Sequence, residues 1–96
     1  MKRLQNFIIN GKYNDESRVN NCFGKIEILN IDDEYKTAYV SWKISDEQDI
    51  EIAGITRNYF FGETNNPQEE IIKMILIDIQ KYKINRRKFF VEIEVK

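Results

Sequence analysis

Sixteen carboxylates, fifteen Lys or Arg side chains, one cysteine and no histidine are the groups from which this 96-residue chain can build chemistry. The missing histidine removes the usual acid–base residue and the commonest transition-metal ligand together. Cys22 has no second cysteine for an intrachain disulfide or a thiolate zinc cluster. Beside Phe23, and with no imidazole to activate it, it is expected to pack at the start of a strand. Gly11, Gly24, Gly54 and Gly62 are isolated, so no glycine-rich loop is available to cradle a phosphate. No catalytic or cofactor-binding residue and no metal ligand is assigned on these grounds. Two kinds of charged group remain to be weighed. Carboxylates can hold Mg²⁺, which needs few protein ligands besides water; clustered bases can contact phosphates.

The charges are segregated along a chain whose net charge is only −1. Residues 27–51 carry Glu27, Asp32, Asp33, Glu34, Asp46, Glu47, Asp49 and Glu51 against Lys36 and Lys43. Residues 81–88 carry Lys81, Lys83, Arg86, Arg87 and Lys88 and no acid. Such separation suits either solvated turns and a helix exit or surfaces that steer a charged partner.

The elements that must position these groups follow from periodicity. Phe7-Ile8-Ile9 reads as a short strand, and the polar stretch from Asn10 to Asn21, with Gly11, Asn14 and Asp15, as a loop. Alternation predicts a strand over 23–31, with Ile26 and Ile28 inward, and a clearer one over 36–44, with Ala38, Val40, Trp42 and Ile44 on one face. Asp32-Asp33-Glu34 and Ser45-Asp46-Glu47-Gln48 are the expected turns, and a further strand runs from Ile50 to about Thr56. Asn66 as cap, Pro67 at the first helical position and Glu69 at the third predict a helix from Pro67 to about Lys83. Ile71, Ile72, Ile75, Leu76, Ile79 and Tyr82 share an arc of about 140°, the core-facing stripe. Met74 and Ile77 fall away from it and are expected to be exposed. After an exit turn at Asn85-Arg86-Arg87, Phe89, Val91, Ile93 and Val95 alternate as a last strand. The expected fold is therefore α+β, one domain over residues 1–96, with an antiparallel sheet of about five strands in the order β-β-β-β-α-β and one helix packed on it. Its other face should show Leu29, Tyr39, Ile55 and Phe90, unless the N-terminal strand or the segment 57–61 folds over them.

The run Thr64-Asn65-Asn66-Pro67-Gln68-Glu69, opening a helix after an antiparallel meander, resembles the ribonuclease H family. There a Thr-Asn-Asn, two residues and a Glu open the first helix, and that Glu joins Asp residues of neighbouring strands in binding Mg²⁺. The resemblance implies that Glu69 is the helix acid, that Asp32 stands for the first-strand acid and that Glu92 or Glu94 stands for the last. In an alternative register Phe7–Gly11 matches the first strand, and Asn10 then replaces the family's metal-binding Asp. Small degenerate versions of this fold occur in antitoxins.

Taken together, the sequence points to a small non-enzymatic inhibitor or regulator that needs no cofactor and binds another protein. Asp32, Asp33, Glu34, Asp46, Glu47, Asp49, Met74 and Ile77 are its candidate interface, and a basic nucleic-acid-handling protein is its candidate partner. Self-association is also compatible with uncovered apolar residues. The alternative is a nucleic-acid-binding or Mg²⁺-dependent nuclease domain, using Lys81, Lys83, Arg86, Arg87 and Lys88 for phosphates and Asp32, Glu69, Glu92 and Glu94 for metal. Ile (16), Asn (10) and Lys (10) are residues of A/T-rich codons, which suits a low-GC bacterium or its phage and an anti-CRISPR, antitoxin or immunity protein. No apolar stretch approaches the roughly 20 residues of a membrane span, and the lone cysteine fits a reducing cytoplasm.

Overall fold

A computed structural model of the chain describes residues 7–15, 18–81 and 88–95. It contains β1 (Phe7–Asp15), β2 (Arg18–Asp32), β3 (Thr37–Ser45), β4 (Glu51–Phe60), α1 (Pro67–Lys81) and β5 (Lys88–Val95). The strands form one antiparallel sheet in the order β4-β3-β2-β1-β5. The fold is α+β, as expected from the alternation. A meander of four strands ends at one edge of the sheet, and the chain then passes through α1 to place β5 at the opposite edge.

The described parts of the segment expected as a loop, residues 10–15 and 18–21, are strand. Asn10 to Asp15 completes β1 and Arg18 to Asn21 begins β2, paired from Asn10 opposite Phe23 to Asp15 opposite Arg18. β1 also pairs along its length with β5, so backbone hydrogen bonds on both sides hold a stretch that carries few apolar side chains. Two glycines mark where the strands close in. A Cβ on Gly11 would run into the Phe90 carbonyl of β5, and one on Gly24 into the Lys43 carbonyl of β3. β4 likewise runs four residues past the expected end at Thr56, to Phe60.

The core lies between the sheet and α1. Phe7, Ile9, Cys22, Ile26, Ala38, Val40, Trp42, Ile44 and Ala53 from the strands meet Ile71, Ile75 and Ile79 from the helix in one buried cluster. A bulge between Ile28 and Asn30 shifts the register of β2 against β3. It brings Ile31 back to the helix side, opposite Ala38, although Ile28 and Ile31 stand three apart. Ile55 pairs with Trp42 and packs half-buried against the core, which corrects its expected place on the outer face. Neither segment expected as a cover plays that part. Residues 7–9 are strand, Tyr59 is buried, Phe61 is half-buried against the core and Phe60 is exposed.

Met74 is also corrected: it packs half-buried against the core, whereas Ile77 is 50% exposed. The buried stripe centres on Ile71, Ile75 and Ile79, turned toward Met74 relative to the expected arc. Asp78 supplies the reason, because it is tied to the sheet on that flank. Trp42 Nε1 donates to the Tyr59 hydroxyl at 2.9 Å, and that hydroxyl donates to Asp78 Oδ2 at 2.6 Å. Arg57 reaches the same carboxylate oxygen at 3.3 Å and lies over the Tyr59 ring.

Candidate functional site

The six acids assigned to one surface divide into two. Asp32, Asp33 and Glu34 stand where the chain leaves β2 for β3, and Asp46, Glu47 and Asp49 where it leaves β3 for β4. The nine residues of β3 lie between them, a separation of roughly 30 Å at about 3.3 Å per residue.

Within each turn the first acid is engaged in holding the backbone. Asp32 Oδ1 accepts from the amides of Glu34 and Tyr35, both at 3.0 Å. Asp46 Oδ1 accepts from those of Gln48 and Ile50, both at 2.9 Å. These Asx arrangements support a left-handed residue late in each turn, Lys36 (φ 57°) and Asp49 (φ 63°). At the β3–β4 end, Glu47 accepts from the Asn21 amide at 3.2 Å. Asp33 and Glu34 remain as exposed side chains at the β2–β3 end.

Beside this end, on the face away from the helix, the sheet carries an apolar group. Phe60 (65% exposed) stands opposite Thr37, which in turn stands opposite Asp32. Tyr39 (42% exposed) occupies the next outward position between Asn30 and Asn58, and Leu29 (50% exposed) lies at the bulge. Tyr35 is exposed on the turn itself. Farther along the same face, Phe23 and Phe90 are exposed as well. Among the described residues no second layer covers this face.

The acids matched to the ribonuclease H pattern are not brought together. Asp32 holds its turn. Glu69 and Asn66 cap α1: the Glu69 amide donates to Asn66 Oδ1 at 3.3 Å, and Asn66 Nδ2 donates to Glu69 Oε2 at 3.2 Å. Thr64 completes the cap by accepting from the Asn66 amide. Glu92 and Glu94 are exposed on β5, at outward positions opposite Asn10 and Ile8. Among the described residues no three His, Cys, Asp or Glu side chains are grouped to hold a metal ion. Of the basic cluster, Lys81 and Lys88 are exposed, while Lys83, Arg86 and Arg87 lie outside the described residues.

Among the described residues, burial shifts two titratable groups, Cys22 and Tyr59. Burial pushes the Cys22 thiol up to about 11, which suppresses the thiolate that a nucleophile requires. Burial, and then the hydrogen bond to Asp78, raise the Tyr59 hydroxyl above its ordinary value. The Trp42–Tyr59–Asp78–Arg57 chain is the polar feature that sequence reading missed. Its members come from β3, β4 and α1, and the only signal was an acid at the edge of an otherwise apolar helix stripe. No helix among the described residues is long and apolar enough to cross a membrane. No protein-family model, curated protein or solved structure matches this chain.

Proposed function

We propose that the chain is a small non-enzymatic inhibitor or regulator that acts by binding another protein through the open face of its sheet at the β2–β3 end. The observation that carries this reading is the exposed set Leu29, Tyr39 and Phe60 beside the uncommitted acids Asp33 and Glu34. Aromatic and aliphatic side chains within a charged rim have the anatomy of a recognition surface. The rim calls for Lys and Arg on the partner. A protein that handles nucleic acid offers such a basic surface, and the acids would stand there in place of phosphates. An inhibitor of the anti-CRISPR, antitoxin or immunity type, carried by a phage or mobile element, works in this stoichiometric way.

Affinity capture from the lysate of a low-GC bacterium, using the wild-type chain, Phe60→Asp and the pair Asp33→Lys with Glu34→Lys, tests the reading. One basic protein should be retained by the wild type and lost by both variants. Retention of nucleic acid instead, abolished by reversing Lys81 and Lys88, would overturn it in favour of a polyanion partner.

A further inference from the structure

We propose that β5 is the site at which two copies of this chain associate, edge to edge and antiparallel, extending the five-stranded sheet into one of ten strands. The two edges of the sheet are built differently. β4 carries an extra residue, Ile52, where its register shifts against Ile44 and Ser45 of β3, a glycine at Gly54 and a helix-side charge, Arg57, fixed to Asp78. Irregularities and helix-side charges of this kind block strand addition. β5 has none of them. It pairs with β1 without a shift from Lys88 opposite Asn14 to Val95 opposite Phe7, and Phe89, Val91 and Ile93 take its helix-side positions.

The backbone of β5 is set for a further strand. The Phe90 carbonyl is directed at Gly11 of β1, so Phe90 exchanges its hydrogen bonds with β1. By strand alternation the amides and carbonyls of Phe89, Val91 and Ile93 then point to the outer edge, which no strand among the described residues pairs. Beside that edge runs a groove of about 310 Å³, lined by Leu76, Ile79 and Gln80 of α1 and by Phe89 to Glu92 of β5, with room for the side chains of an added strand.

The sequence of β5 complements itself. With Phe90 (59% exposed) placed on a two-fold axis opposite Phe90 of the second copy, Lys88 faces Glu92 of the other strand twice over, once in each direction. The outer-edge amides and carbonyls of Phe89 then meet those of Val91. Because an isologous contact places one patch against itself, one such register satisfies both copies. Moving the axis to Glu92 would set like charges against each other. The association also makes the outer faces of the two sheets continuous, yet it rests on the β5 edge alone and stands independently of the face proposed for partner binding.

Sedimentation equilibrium from micromolar to millimolar concentration tests this, with native fold checked by circular dichroism. The wild-type chain should rise from 11.5 kDa toward twice that mass. Val91→Pro removes an amide that faces the outer edge and none that serves β1, so the variant should stay folded and monomeric. Lys88→Glu should weaken association about ten- to a hundredfold, since both symmetry-related pairs become like-charged. Adding Glu92→Lys to it should restore association. A wild-type chain monomeric at every concentration, a dimer that persists in folded Val91→Pro, or rescue of Lys88→Glu by Glu94→Lys in place of Glu92→Lys would each overturn the proposal.

Discussion

Tyr59 of β4 ties three elements together, since its hydroxyl takes a hydrogen from Trp42 on β3 and gives one to Asp78 on α1. Tyr59→Phe keeps the ring and deletes both bonds, the second of them to a carboxylate. A cost of about 1–3 kcal/mol is expected, read from the urea midpoint. Trp42→Ala, which empties the largest fully buried side chain, should cost more, about 3–5 kcal/mol.

Cys22 and Tyr59 also set a pH dependence. Both groups lose their protons at higher pH in the folded chain than in the unfolded one. Between the ordinary thiol value of 9.0 and about 11, the folded state therefore binds more protons than the unfolded state, and stability falls as pH rises. The urea midpoint should drop from pH 8 to pH 10.5, and less steeply in Cys22→Ala. A disulfide reagent at pH 8 should label Cys22 only after unfolding, because the thiol is fully buried.

Among the elements, the pairing of β1 with β5 depends on close strand approach at Gly11. Gly11→Ala would place a methyl group on the Phe90 carbonyl and 2.6 Å from Val91 Cα. Since the obstacle is backbone, the strands must part, at an expected cost of about 1–3 kcal/mol or more. Gly54→Ala meets its nearest neighbour, the Trp42 carbonyl, at 3.1 Å on the edge strand and should cost less. The helix cap is a milder case. Glu69→Gln keeps an acceptor for Asn66 and loses a charge from the first turn, so the melting temperature should report about 1 kcal/mol or less. That outcome fits the capping role, whereas a Mg²⁺-dependent cleavage of an RNA–DNA hybrid lost in this variant would give Glu69 a catalytic one.

On the scale of the whole molecule, the two acidic turns stand roughly 30 Å apart, several times the Debye length of about 8 Å at physiological ionic strength. They act as separate charges. Under the proposed function, reversing Asp33 and Glu34 should abolish capture of the partner, and reversing Glu47 and Asp49 should leave it nearly unchanged. Association with the wild-type chain should slow as salt is raised. Asp32 is a poor choice for such a test, because its carboxylate holds the amides of Glu34 and Tyr35 and its reversal would disturb the turn.

By itself the sequence determined whatever depends on near neighbours. Period-two alternation placed Trp42 and its row in the core, and the Asn66, Pro67 and Glu69 spacing located the helix start, because both signals are written in consecutive residues. Asn10 to Asp15 and Arg18 to Asn21 carried no such signal. The first stretch is strand because it pairs with β2 on one side and β5 on the other, the second because it pairs with β1, and β5 lies some eighty residues away along the chain. The bulge at Leu29, the strand order and the turning of the helix by Asp78 likewise needed partners that only folding supplies. The same is true of the candidate surface. The acids were plain as a list, but the length of β3 between the turns split them, and the turn backbone engaged Asp32 and Asp46. Phe60 became a surface residue because β4 continues in register past Arg57, alternating Tyr59 inward and Phe60 outward.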